Sequence, residues 1–314
     1  MITILGAGGA IGNELVKLLA ERNQPFRLVG RNPKMVPGAA DVHAADLSDK
    51  DQTIAAVKGS TVVFLLAGLK YDHRLWAEAW PRIIANSIEG CKRAAARLVF
   101  FDNVYMYGRV NGTMTEDTPF NPSSAKGEVR AAIATSLMNQ WKSGALTAMI
   151  ARSADFYGPG TRNAVPSVLV FEPLAKNQTA SWLVNDTVLH SYTYTPDAAQ
   201  SLLMLAQRES AWNQTWHVPT APKALTGKQF ITAAASELGV APRYRVLNKL
   251  MLRVAGWFNA DIRESYEMLY QSDSPYIFDS SKFANAFGFG GTPYAEGIRA
   301  TAASFRKRAP SLPS

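Results

Sequence analysis

A chain of 314 residues with 47% hydrophobic and 18% charged residues has the balance of an ordinary soluble globular protein, long enough for two lobes and a large core. No stretch reads as a membrane span, and the start lacks a basic n-region and a cleavage site, so neither a membrane anchor nor a secretory signal is expected. The net charge of +8 is scattered, which argues against a nucleic-acid partner and suits a ligand carrying several phosphates; the one cluster, Arg306-Lys307-Arg308, reads as a solvated terminus.

In chain order, an apolar run from Met1 to Leu5 meets Gly6-Ala7-Gly8-Gly9-Ala10-Ile11-Gly12 and then a helical pattern to about Arg22. A strand that turns into a helix within a few residues needs Gly6 for backbone angles closed to other residues. Gly8 and Gly9 keep side chains away from the backbone N–H groups, and Gly12 lets helix and strand approach. The N-terminal end of that helix, at Ala10 and Ile11, is then a cradle for a pyrophosphate. Leu15, Leu18 and Leu19 give the helix its buried stripe, and a second strand at 26–30 completes the βαβ spacing that a dinucleotide site requires.

The end of that second strand selects the cofactor. Dinucleotide sites for NAD usually hold the ribose with an acidic residue at this point, whereas Gly30-Arg31-Asn32-Pro33-Lys34 has none and offers two cations. Arg31 is suited to grip a 2′-phosphate with a forked, charge-assisted pair, so NADP is the expected cofactor, the alternative being that Arg31 stacks on adenine. Asp46-Leu47 follows the third strand, where Asp46 either accepts from the adenine amine or caps the helix that begins near Asp49.

Further strands are expected near 42–45, 61–67, 97–103 and 146–152, with helices between most of them: an α/β protein with a doubly wound parallel Rossmann sheet. Cys91, the single cysteine, forms no internal disulfide and suits a reducing cytoplasm; it reads as a small buried helix residue. After Tyr157-Gly158-Pro159-Gly160 the alternation weakens and helical stretches near 226–238, 247–257 and 293–307 dominate. The expected division is a dinucleotide-binding domain over 1–158, to which 187–218 returns, and a smaller, mostly helical substrate lobe over 159–314. No metal site is expected.

GAGGAIG at 6–12, Asp46-Leu47, LAGLK at 66–70, VYMYG at 104–108, YGPG at 157–160, YTPDAA at 194–199 and FDSSKF at 278–283 occur in an order and spacing that resembles the extended short-chain dehydrogenase/reductases. That group includes the nucleotide-sugar epimerases and dehydratases, and the resemblance covers nearly the whole chain. It implies that Ala67 and Gly68 line the cofactor and that Lys70 contacts a phosphate. Members of the group often form homodimers through the helices that here lie near 74–94 and 123–143, which leaves the oligomeric state open; Pro81 is a potential kink there, and Trp76 and Trp80 share a face that fits an interface or a core.

The departures narrow the chemistry. The family pairs a Ser or Thr at the end of the fifth strand with Tyr-x-x-x-Lys, whose lysine lowers the tyrosine pKa from about 10 so that a phenol passes a proton while the nicotinamide passes a hydride. Here Asn103 stands where the Ser or Thr belongs, Lys126 is the lysine, and Pro122 replaces the tyrosine. His190 stands where epimerases carry an Arg that clamps the substrate diphosphate, and imidazole is a poor clamp at neutral pH. A nucleotide sugar is therefore disfavoured. The apolar residues Phe171, Trp182, Met251, Trp257, Phe258 and Met268 would line a largely apolar pocket or form plain core. Dehydratase acids fall on Val104 and Tyr105, which excludes that chemistry and leaves a phenol in a substrate-facing position.

The expected function is an NADP-dependent reductase or dehydrogenase of a small carbonyl or activated alkene. Tyr105 is its proton donor, Asn103 orients the substrate oxygen, Lys126 holds the nicotinamide ribose, and Tyr157 and His190 are lesser candidates. The alternatives are a non-catalytic NADP-binding sensor and an epimerase or other isomerase.

Overall fold

The computed structural model of the protein describes residues 1–306 and contains two compact units. Unit 1 comprises residues 1–108, 116–153 and 198–218; unit 2 comprises 109–115, 154–197 and the described residues from 219 onward. Beyond Arg306, the basic tail lies outside the described residues.

Unit 1 is built on a seven-stranded parallel sheet. Its strands are β1 (Ile2–Leu5), β2 (Phe26–Gly30), β3 (Ala39–Ala44), β4 (Val62–Leu65), β5 (Arg97–Asp102), β6 (Ala148–Arg152) and β7 (Thr215–His217), in the order β7-β6-β5-β4-β1-β2-β3. β1 pairs in parallel with both β2 and β4, so the chain winds outward in two directions from β1. The carboxyl ends of β1 and β4 therefore form a topological switch point, where open parallel sheets bind ligands. The helices are α1 (Ala10–Glu21), α2 (Lys50–Val57), α3 (His73–Ala94), α4 (Ala125–Lys142) and α5 (Thr195–Gln207), the last belonging to unit 1 from Ala198.

Three of these helices begin where a side chain caps them. Asp49 accepts from Gln52 N at 2.9 Å to start α2, Asp72 accepts from Arg74 N and Leu75 N to start α3, and Ser124 accepts from Gly127 N at 3.0 Å to start α4. α3 runs through Pro81 as one helix and ends at Ala95, which is left-handed with φ 50°, after Lys92 and Arg93 in the last turn. Trp76 and Trp80 turn inward from α3, into the cluster that holds Phe100 of β5 and Ile133 and Leu137 of α4, so this face is core. Full burial of a large apolar side chain is worth about 1.5–3 kcal/mol.

Among its described residues, unit 2 has no large sheet. Its short strands pair in twos: 155–157 with 192–194, 180–183 with 244–247, 189–190 with 225–226 and 113–114 with 277–278. Helices α6 (Gly227–Leu238), α7 (Lys249–Phe258) and α8 (Tyr294–Arg306) accompany them. Tyr157, Phe171, Trp182, Tyr192, Phe230 and Tyr294 pack into an aromatic core. The strand pairings correct the expected division: 109–115, 154–158 and 187–197 belong to unit 2, because each contributes a short strand to it. Of the apolar residues grouped as one pocket or core, Phe171, Trp182 and Met268 are buried, whereas Met251, Trp257 and Phe258 stand on the surface of α7.

Cys91 is fully buried in the core of unit 1, and burial pushes its thiol up to about 12. The native protein should therefore resist iodoacetamide at neutral pH and label fully once unfolded in guanidinium. Mass spectrometry showing native labelling at the rate of a free thiol would contradict this burial.

Candidate functional site

The loop after β1 has the geometry of an anion cradle. Gly6 (φ 93°) turns the chain so that Gly6 N and Ala7 N both donate to Val29 O of β2, at 2.9 and 3.0 Å. A Cβ on Gly6 would run into the backbone of Ala67, so the β1 and β4 ends approach as closely as glycine permits. Gly8 (φ 97°) is different: a Cβ there would meet nothing within 4 Å. Gly9 N-caps α1 with no side-chain hydrogen bond, and the first turn of α1 carries no acid. Uncapped N–H groups at a helix N-terminus, with open space beside Gly8, are a donor set that a pyrophosphate fits. Ala10 is half-buried, Ile11 is core, and a Cβ on Gly12 would make only ordinary contacts, so its glycine is less demanding than the sequence implied.

The remaining cofactor candidates surround the same switch point. Arg31 follows β2 and is exposed, with no ion pair to any described residue. Asp46 closes its own turn by accepting from Ser48 N at 2.9 Å; the helix cap is Asp49, so the capping alternative for Asp46 falls away. Leu47 is buried, and its carbonyl accepts from Asn86 Nδ2 at 3.0 Å. Ala67 is half-buried, Gly68 and Lys70 are exposed, and Lys70 O accepts from Trp76 Nε1 at 3.0 Å, which fixes the loop to α3.

At the carboxyl end of β5 the chain makes a braced turn. Asp102 Oδ1 accepts from Asn103 N at 2.9 Å, and Asn103 Oδ1 accepts from Tyr105 N at 3.1 Å. This leaves Asn103 Nδ2 without a hydrogen bond to any described residue. Tyr105 is half-buried, stacked on Trp76 at 6.2 Å and edge-on to Tyr71 at 6.5 Å. The first turn of α4 lies against this turn because residue 127 is glycine: a Cβ there would lie 2.6 Å from Tyr105 O.

That contact brings in Lys126, which is fully buried with Nζ 4.5 Å from the centre of the Tyr71 ring. One turn on, Arg130 donates to Asp102 Oδ1 at 3.1 Å, and its guanidinium lies 4.0 Å from the Trp80 ring and 4.6 Å from the Trp76 ring. Burial lifts the Asp102 carboxyl above its ordinary value although Arg130 and Arg152 pull it down, and burial lowers Arg130.

Tyr71 and Arg130 are the residues that the sequence reading missed. Arg130 was signalled by its spacing, four residues after Lys126 on one helix face. Tyr71 carried no local signal beyond its place beside Lys70.

Other candidates are structural. Tyr107 OH is hydrogen-bonded to His217 Nε2 at 2.8 Å and accepts from Arg152 Nη1 at 2.7 Å, and burial pushes its phenol to about 12. Tyr157 lies in the aromatic core of unit 2, where burial raises its phenol well above the ordinary value. His190 is buried between Tyr192 and Tyr276, with Nε2 3.0 Å from Asp155 Oδ2, so it is a core residue of unit 2.

A parallel sheet with a glycine cradle at its switch point defines a dinucleotide-binding protein of the Rossmann class. The model of the NAD dependent epimerase/dehydratase family matches residues 2–218, and the chain belongs to that family, among the extended short-chain dehydrogenase/reductases that depend on a nicotinamide cofactor.

A 3beta-hydroxysteroid-dehydrogenase/decarboxylase (isoform 2) of Arabidopsis thaliana is 24% identical over an alignment covering 85% of this chain and 52% of that protein, so the chain spans about half the length of this relative. Among solved structures, the UDP-glucose 4-epimerase of Thermus thermophilus in complex with NAD is 18% identical, with a TM-score of 0.79 over 98% of this chain and 99% of that one. MoeE5 in complex with UDP-glucose and NAD is 21% identical, with a TM-score of 0.80 over 98% of each chain. These two likenesses are of fold.

The glycine at 127 gives a test of how the site is assembled. Gly127→Ala should push α4 away from the 103–105 turn and cost about 1–3 kcal/mol, the usual penalty of an overpacked contact, read as a lowered denaturant midpoint. An unchanged midpoint would show that the close approach is not needed.

Proposed function

We propose that the protein is an NADP-dependent oxidoreductase acting on a small, largely apolar carbonyl compound or activated alkene. The observation that carries this reading is the group at the end of β5. Asn103 and Tyr105 are held in a braced turn, beside Lys126 and Tyr71, in the same unit as the cradle. When bound, the dinucleotide supplies or accepts the hydride. Gly8, Gly9 and the start of α1 would hold its pyrophosphate, Arg31 the 2′-phosphate, and Ala67, Gly68, Lys70, Asp46 and Leu47 its flanks.

Tyr105 would hold the proton at its phenol oxygen and pass it to the substrate oxygen or carbon, while Asn103 Nδ2 orients the substrate oxygen. Lys126 supplies positive charge from beneath Tyr71, which favours the phenolate that remains after transfer. The buried state of His190 supports a substrate without a diphosphate, and the hydroxysteroid dehydrogenase named among the relatives supports an apolar alcohol or ketone. Unit 2 would be the substrate lobe. A second reading, an NADP-binding sensor without chemistry, is favoured by one observation: Lys126, the lysine the family uses, is fully buried.

The cofactor reading predicts that NADPH binds more tightly than NADH in a fluorescence titration. Arg31→Asp should reverse the order, removing a charge-assisted contact worth about 1.5–3 kcal/mol. Equal affinities in the parent protein would remove the argument from Arg31.

The chemical reading begins with NADPH consumption against a panel of aldehydes, ketones and enones. With the substrate so found, Tyr105→Phe should lower kcat by about 10²–10⁴-fold while NADPH affinity stays nearly constant. A folded Tyr105→Phe protein with full kcat would move the role to Tyr71, and NADPH binding without turnover of any compound would favour the sensor.

A further inference from the structure

Helix α7 carries an apolar ridge that no described residue covers. Leu250, Trp257 and Phe258 are 71%, 72% and 87% exposed, and Met251 and Val254 are also largely in water. Their spacing places all five along one side of the helix, while Leu252 and Gly256 face inward, Gly256 against the backbone of Arg263. Half of the exposed large apolar side chains in the described residues belong to this one helix of ten residues. Leaving such side chains in water forgoes the free energy of burying them, and a concentrated patch of this kind marks a contact surface.

The charge around the ridge identifies what it meets. Between Glu237 and Asp261 the sequence has no carboxylate, whereas Arg243, Arg245, Lys249 and Arg253 all fall in that interval. All four are exposed. Lys249 Nζ is tied to Asp273 Oδ2, which Arg109 also contacts, so one carboxylate is shared by two cations. Arg253 makes no ion pair with any described residue and lies within α7 itself, and Arg243 and Arg245 make only neutral hydrogen bonds, to Asn177 and Ser181. An exposed apolar helix face tipped by Trp and Phe, with cations ahead of it and within it and the carboxylate of Asp261 only after its end, is the pattern of a helix that seats in the headgroup region of a bilayer, with apolar side chains in the acyl boundary and cations on anionic headgroups.

A second copy of the chain fits less well. A symmetric contact between two copies would set Arg253 and the basic segment of one chain near those of the other, whereas an anionic surface neutralises them.

We propose that α7, with the basic segment that leads into it, docks the protein peripherally on an anionic lipid surface. The proposal does not depend on the reaction assigned above. Sucrose-loaded vesicles of phosphatidylcholine alone, and of phosphatidylcholine mixed with phosphatidylglycerol, test it by co-sedimentation of the full chain.

The protein should bind the mixed vesicles, release as salt is raised, and bind neutral vesicles at least about tenfold more weakly. The combined substitution Leu250→Ser, Trp257→Ser, Phe258→Ser alters only exposed side chains and should abolish co-sedimentation without lowering the melting temperature. Arg253→Gln should weaken binding to mixed vesicles alone. Failure to sediment with either vesicle would overturn the proposal. So would a dimer, seen by analytical ultracentrifugation, that the triple variant dissociates while vesicle binding is unchanged.

Discussion

The buried pair of Asp102 and Arg130 is the constraint on which the site depends. Asp102 ends β5 and Arg130 sits one turn into α4, with side chains 0% and 7% exposed. Two charges at such depth are held only by each other and by their surroundings. Here the surroundings are the rings of Trp76 and Trp80 over the guanidinium and the Asn103 amide on the carboxylate. Removing one partner of such a pair typically costs about 3–5 kcal/mol, because the other is left uncompensated. The pair therefore locks α4 onto the carboxyl end of the sheet. Lys126, one turn before Arg130, is carried to the 103–105 turn by the same lock, and Gly127 lets the two surfaces close.

The sequence departs from the family pattern it resembles where Pro122 stands four residues before Lys126, and the local structure there is not helical. Ser124 is the N-cap of α4, so Pro122 lies outside the helix. The one-turn spacing that sets a tyrosine beside its lysine is therefore not present at 122 and 126. The aromatic ring beside Lys126 comes instead from Tyr71, on the connection between β4 and α3. A contact between residues so distant in sequence has no periodicity and leaves no mark in either stretch.

What was legible follows the same division. Six of the seven sheet strands and the glycine turn were readable because alternation, glycine chemistry and βαβ spacing are local properties, and β1, β2 and α1 fall where those properties place them, whereas the three-residue β7 was too short to show a pattern. Leu15 and Leu19 are buried as a helical stripe should be. The boundary between the units was not readable, because strands of two or three residues such as 189–190 and 192–194 pair with partners far away in the chain. Nor was the fate of Trp257 and Phe258. Hydrophobic periodicity marks one face of a helix, but it does not say whether protein covers that face, and here none of the described residues does.

The way the chain passes between the two units has a consequence for synthesis on the ribosome. Unit 1 is complete once residue 218 has emerged, whereas unit 2 is assembled from three separate excursions. Its aromatic core joins Tyr157, Tyr192 and Phe230 to Tyr294, near the end of the described residues. Since a core cannot close before its last member leaves the exit tunnel, Tyr157 and Tyr192 remain without their final partner while the rest of unit 2 is being made. The nascent chain thus has a finished dinucleotide-binding unit well before it has a finished second one, and the interval between them is when its aromatic side chains are most open to capture by chaperones.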